Sequence, residues 1–108
     1  MRRLPVLKPT LALLALLGGV PAASAQDAAA LRSRALAATC ANCHGTAGRA
    51  VENASVPGLA GLPAAYLAEQ MRAFKAGTRP ATVMHQLAKG YSDAQIDQLA
   101  AHFAAQPK

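Results

Sequence analysis

Apolar residues recur at helical spacing through most of the chain after residue 26. Leu67, Met71 and Phe74 are separated by four and three positions, so they share one face of a helix. No β-rich run occurs anywhere in the sequence. The pattern therefore predicts an all-α domain, with helices at residues 28–40, 62–77 and 82–89, a last helix opening at Ser92, and a Gly-rich loop at 45–62.

Local signals predict where these helices begin and end. Pro63 suits the first turn of its helix, and Gly77 suits the position after the last turn. Ser92 and Gln95 have the spacing of a capping box, and Asp93 is a favourable acid in the first turn. The predicted inward positions are Leu31, Ala35 and Ala38 in the first helix and Ile96, Leu99, Ala100 and Phe103 in the last.

The first 25 residues have the three parts of a secretory signal peptide. Arg2, Arg3 and Lys8 form a basic start, residues 10–20 are apolar, and Ala23-Ser24-Ala25 is an A-x-A cleavage site. The apolar run is roughly half of the ~20 residues that a membrane span needs. We therefore predict that residues 1–25 are cleaved, and that residues 26–108 are a single periplasmic domain without stable membrane insertion.

Loss of this leader changes the charge. The whole chain carries a formal net charge of +6, and removing three of its eleven basic residues while keeping all five acids leaves +3. The remaining domain has no Lys/Arg run with interleaved aromatic residues, so we expect no nucleic-acid partner. A domain this short and rich in alanine buries little apolar area, which predicts that another group completes its core.

The only two cysteines, Cys40 and Cys43, stand in a C-x-x-C-H motif that ends at His44. A thioredoxin-like disulfide would need a strand–helix context, and a structural zinc site would need a second pair of ligands. On a helical turn the three residues share a face, so two thioether bonds and one imidazole can hold the same group. The motif therefore predicts one covalently attached haem c.

These features resemble the class I c-type cytochromes over essentially the whole of residues 26–108. The resemblance implies a small helical fold wrapped around the haem, with the first and last helices crossing at Ala35 and Phe103. It also matches Pro57-Gly58-Leu59-Ala60-Gly61 to the family's P-x-L-x-G stretch. The carbonyl of Pro57 is then expected to accept the Nδ1–H of His44 and to orient that ring toward iron.

Four residues are candidates for the second axial ligand of the iron, opposite His44: Met71, Met84, His85 and His102. Met71 belongs to an apolar stripe, and the helical period turns His102 away from Phe103 toward solvent. Leu87 and Ala88 follow Met84 by three and four positions, so Met84 is predicted to face inward and His85 outward. A methionine just after an R-P-x-x turn is also where the family's ligand lies. Met84 is the predicted ligand.

Residues 66–80 and 88–96 are similar to the cytochrome subunit of flavocytochrome c sulfide dehydrogenase. This resemblance implies a single-haem electron carrier that serves an FAD-dependent, sulfide-oxidising flavoprotein and passes electrons to a downstream redox acceptor. No G-x-G-x-x-G occurs, so FAD is not expected on this chain, which itself has no predicted catalytic residue. The alternatives are a free diffusible periplasmic cytochrome with another donor, or a haem enzyme such as a peroxidase.

Overall fold

In the computed structural model, which describes residues 22–108, the chain forms five α-helices joined by loops. They are α1 (Ala22–Ala38), α2 (Ala41–His44), α3 (Ala64–Ala76), α4 (Met84–Lys89) and α5 (Asp93–Ala104), with a 3-10 turn at Thr46–Gly48. No strand occurs in this part of the chain, which confirms the all-α prediction. Residues 1–21 of the predicted signal peptide lie outside the described residues. The predicted cleavage point after Ala25 falls within α1.

The helix ends agree with the local signals. Gly77 has a left-handed backbone (φ 77°, ψ 11°), and its N–H donates to the carbonyl of Phe74. The capping box is complete, because the Gln95 N–H donates to Ser92 Oγ at 3.2 Å and the Ser92 N–H donates to Gln95 Oε1 at 2.9 Å. Pro63 lies one position earlier than predicted, as the N-cap of α3. These signals succeed because they act within one turn of the chain.

The buried face of α1 differs from the prediction. Leu31 is 66% exposed, and Ala35 and Ala38 are exposed as well. Ala37 is buried instead, so the predicted pairing of Ala35 with Phe103 is wrong. Because alanines lie on every side of α1, the helix has no single apolar stripe. Packing against α5 therefore determines which face of α1 is buried. The residues that are buried or half-buried here are Ser33, Leu36 and Ala37 in α1, and Cys40 just beyond its end.

Helices α3 and α5 supply most of the core, and α1 and α4 pack against them. The predicted stripe of α5 is confirmed, since all four of its apolar residues are buried. Alanines make up much of this core, and Ile96 is its largest fully buried side chain. Few large apolar side chains are therefore enclosed by protein alone, as expected of a domain whose core is completed by another group. In residues 22–108 no helix has the length and apolarity to span a membrane.

Candidate functional site

Cys40, Cys43 and His44 lie on a single helical turn at the end of α1 and through α2. The N–H of His44 donates to the Cys40 carbonyl at 2.9 Å, and that of Cys43 donates to the same oxygen at 3.3 Å. Cys40 and Cys43 are not paired with each other in a disulfide. Cys40 is half-buried, and this burial raises the pKa of its thiol against the opposing effect of the Thr39 hydroxyl. One turn of the chain therefore carries two cysteines and a histidine.

His44 is the buried polar residue of this turn, with 8% of its surface exposed. Its Nδ1 lies 2.7 Å from the carbonyl oxygen of Pro57, which is the hydrogen bond that the family resemblance implied. A carbonyl only accepts, so Nδ1 carries a proton, and in the neutral ring Nε2 then has the free lone pair. Metal-binding histidines are commonly held in this way by a partner on the other ring nitrogen. The ring is therefore prepared to ligate a metal through Nε2.

The loop that carries Pro57 is fastened to the 3-10 turn and to α5. The carbonyl of Gly48 accepts hydrogen bonds from the N–H groups of Leu59 (2.7 Å) and Ala60 (3.1 Å), and the Gly61 N–H donates to the carbonyl of Phe103 at 2.9 Å. Gly48 has a φ of +75°, and a Cβ there would lie 2.7 Å from the Phe103 ring. Only glycine allows this close approach. The close packing fixes the Pro57 carbonyl that orients His44.

Met84 and His85 both lie half-buried at the start of α4, whereas the sequence predicted that Met84 faces inward and His85 outward. Ala88, which is fully buried, follows Met84 by four positions and His85 by three. The buried line of the helix therefore runs between the two side chains. Leu87, predicted on the apolar side with Met84, is 53% exposed. The prediction that His85 faces solvent is wrong, since its Nδ1 is buried, with no hydrogen-bond partner among the described residues.

The two other candidate ligands lie in different surroundings. Met71 packs against the core of α3 and α5, as its stripe predicted. His102 is half-buried rather than turned to solvent, and its ring meets the Phe103 ring edge-on with 5.3 Å between centroids. The aromatic neighbour explains this burial, because an edge-to-face pair draws both rings together.

One polar contact beside the cysteines was not predicted from the sequence. The hydroxyl of Thr39 lies 3.0 Å from that of Tyr91, which comes just before α5. These residues are 52 positions apart in the chain, so no local pattern pointed to the pair. The contact joins the turn of Cys40 and His44 to the segment that follows α4.

The residues present fit a covalently attached haem. Two free thiols share a turn with a histidine whose Nε2 is available, and the alanine-rich core leaves few large apolar side chains enclosed. Among residues 22–108 no group of three or more His, Cys, Asp or Glu side chains is placed to hold a metal ion, so the zinc alternative gains no support. The fold and the site define a helical protein that attaches haem through C-x-x-C-H.

A family model described as cytochrome c matches residues 29–105. The chain belongs to the cytochrome c family. Its cofactor is covalently bound haem c, and Cys40 and Cys43 fit the attachment motif. The chain contains this motif once, at Cys40, Cys43 and His44, so it has one site of haem attachment.

Two of the similar proteins are named for a thiosulfate dehydrogenase and for a sulfide dehydrogenase. The chain is 46% identical over 68 residues to a thiosulfate dehydrogenase electron acceptor from Thiomonas intermedia (strain K12), covering 63% of this chain and 31% of that protein. It is 36% identical over 72 residues to the cytochrome subunit of sulfide dehydrogenase from Chlorobaculum tepidum, covering 67% of this chain and 64% of that subunit. The chain thus spans about a third of the first relative and just under two thirds of the second.

A solved structure supports the fold. The structure of cytochrome c4 from Acidithiobacillus ferrooxidans is similar with a TM-score of 0.61 and 30% sequence identity. The match covers 82% of this chain and 52% of that one. The described helices therefore form the small cytochrome c fold.

Proposed function

We propose that this chain, a monohaem cytochrome c electron carrier, holds its haem iron between His44 and Met84 and receives electrons from a dehydrogenase of a reduced sulfur compound. The observation that carries the site proposal is the 2.7 Å contact between His44 Nδ1 and the Pro57 carbonyl. It commits the proton of the ring to Nδ1 and leaves Nε2 as a metal ligand. When bound, haem c supplies a one-electron couple between ferric and ferrous iron.

The chain's own residues give this site its character. Cys40 and Cys43 tether the group, and His44 is a buried ligand with a fixed tautomer. Met84 supplies a neutral thioether, and His/Met ligation raises the reduction potential of a haem. If His44 and Met84 both ligate the iron, no position stays open for oxygen or peroxide, and the site would favour electron transfer. This argues for a carrier and against the peroxidase alternative.

Variants of the two methionines test the axial assignment. In the haem-loaded protein, Met84→Leu is expected to remove the sulfur-to-iron absorption band and to lower the reduction potential. Met71→Leu is a matched control, because it exchanges the same residue type in the core at a cost of under about 1.5 kcal/mol. The assignment is wrong if Met84→Leu retains the band, or if Met71→Leu is the variant that loses it.

The donor is proposed from two kinds of support. Two relatives are a thiosulfate dehydrogenase electron acceptor and a cytochrome subunit of sulfide dehydrogenase. Residues 66–80 and 88–96 resemble the second kind, and that resemblance favours a flavoprotein partner with FAD, followed by a separate redox acceptor. A diffusible carrier with a different donor is the competing proposal.

Stopped-flow reduction separates these donors. The oxidised cytochrome is mixed with a sulfide-oxidising flavoprotein plus sulfide, or with a thiosulfate dehydrogenase plus thiosulfate, and haem reduction is followed by absorbance. Rapid reduction in the first mixture but not in the second supports the flavoprotein proposal. Reduction in the second mixture but not in the first indicates thiosulfate dehydrogenase as the donor. If the haem is reduced in neither of the two mixtures, the proposal of a sulfur-compound donor is contradicted.

We also propose that the chain is exported to the periplasm and cleaved after Ala25. The support is the basic, apolar and small-residue order of residues 1–25. The mass and N-terminal sequence of the haem protein from a periplasmic fraction test this proposal. A chain that begins at Gln26 is expected, whereas a cytoplasmic protein retaining Arg2 and Arg3 contradicts it.

A further inference from the structure

The hydroxyl of Thr39 is the centre of a small polar cluster beside the haem attachment turn. Its oxygen lies 2.9 Å from the carbonyl of Leu36, 3.0 Å from the hydroxyl of Tyr91 and 3.9 Å from the sulfur of Cys40. The Leu36 carbonyl lies at the C-terminal end of α1, where carbonyls lack helical partners, and it can only accept. Thr39 therefore donates its one proton to Leu36, and the Tyr91 hydroxyl donates to Thr39.

Tyr91 is held from other directions as well. The ammonium group of Lys75 on α3 donates to the backbone carbonyl of Tyr91 at 2.6 Å. The N–H of Tyr91 donates to the carbonyl of Ala88 in α4 at 3.2 Å, and its ring packs against the core. These contacts fix Tyr91 at the point where α4 ends and α5 begins.

Helix α4 needs such support. It is six residues long, and its N-cap Val83 makes no side-chain capping hydrogen bond. Isolated helices shorter than about 12 residues are marginal in water, so α4 depends on contacts with its neighbours. The Tyr91–Thr39 hydrogen bond is a side-chain contact that ties the C-terminal end of α4 to the turn of Cys40 and His44.

We propose that Tyr91 is a positioning residue for the haem site, and that its hydroxyl, acting through Thr39, holds Met84 and the attachment turn in register. The inference rests on the proposed ligation by Met84. Loss of the hydroxyl leaves the aromatic ring in the core but loosens α4, so the Met84 position opens more often. The expected consequences are easier access of external ligands to the iron and a lower reduction potential.

The test uses the haem-loaded protein and the variants Tyr91→Phe, Thr39→Val and the double variant. Tyr66→Phe is the matched control, because it removes the same hydroxyl from an exposed side chain. The readouts are the apparent affinity of the reduced protein for carbon monoxide, the reduction potential and the sulfur-to-iron absorption band. Tyr91→Phe is expected to raise the carbon monoxide affinity about two- to fivefold, the lower part of the range for one hydrogen bond, because Thr39 is exposed.

The double variant should change the affinity no more than the larger single effect, because the two hydroxyls form one hydrogen bond. The proposal is overturned if Tyr91→Phe matches Tyr66→Phe in affinity and potential, or if it only lowers the melting temperature. A parent protein without the sulfur-to-iron band would instead overturn the Met84 assignment, and this inference with it. A parent with the band and an unaffected Tyr91→Phe variant overturns this inference alone.

Discussion

Replacing Gly48 by alanine places a methyl group between the 3-10 turn, the loop that carries Pro57 and the ring of Phe103. The new Cβ would lie 2.7 Å from Phe103 Cδ1 and 3.1 Å from the backbone nitrogen of Ala60. Phe103 is 4% exposed and packed in the core, so its ring has little room to move. The loop cannot withdraw freely either, because the Gly48 carbonyl accepts its hydrogen bonds.

The size of the effect follows from comparison with Gly77. Gly48 and Gly77 have nearly the same φ, +75° and +77°, so alanine meets a similar left-handed strain of about 1–2 kcal/mol at both. Both substitutions also restrict the unfolded chain equally. A Cβ at Gly77 meets nothing within 4 Å, whereas one at Gly48 overpacks the core at a cost of about 1–3 kcal/mol. Gly48→Ala should therefore be the less stable variant by about 1–3 kcal/mol.

Guanidinium unfolding of the two haem-loaded variants, followed by circular dichroism, measures this difference. The covalent haem stays on the chain in both states, so the comparison requires no correction for cofactor loss. The slope of free energy against denaturant should be unchanged, which identifies a loss of folded-state stability. Equal free energies of unfolding, within about 0.5 kcal/mol, would refute the claim that Gly48 is required for close packing against Phe103.

Two further substitutions test the helix end and the surface. Ser92→Ala removes the capping box of α5 and should lower the free energy of unfolding by about 1 kcal/mol. The control Ser55→Ala changes an exposed serine and should leave that free energy unchanged. Equal effects of the two substitutions would show that the cap contributes nothing to stability. Asp97→Asn breaks the exposed ion pair with Arg72 and should lower the free energy of unfolding by under about 1 kcal/mol, and by less in high salt. Thermal unfolding at two ionic strengths measures this change, and a loss of stability above about 2 kcal/mol would contradict the expectation.

Parts of the site could be predicted because they depend on short stretches of chain. Cys40, Cys43 and His44 share a helical turn whenever the segment is helical, so their spacing alone indicated haem attachment. The hydrogen bond from His44 to Pro57 came from resemblance to a family, and the structure contains it. The ligand role of Met84 stays a prediction, and the structure adds that Met84 and His85 are both half-buried.

Other features were beyond the reach of the pattern. The buried face of α1 was misjudged because alanine is compatible with either side of the helix, so the hydrophobic period carried little information. Its orientation is set by the crossing with α5, where the side-chain amide of Gln98 donates to Ser33 Oγ at 2.9 Å. The position of His85 was misjudged for a related reason, since a six-residue helix is too short to define an apolar stripe.

The helical class, the capping signals at Gly77 and Ser92 and the attachment of one haem could be inferred from the sequence, because each depends on residues within a turn or two of one another. The folded chain was needed to show which side of α1 is buried, how closely Gly48 approaches Phe103, and that Tyr91 contacts Thr39. Those features join segments that are distant in the chain. Their geometry depends on how the helices pack, and local periodicity carries no record of that packing.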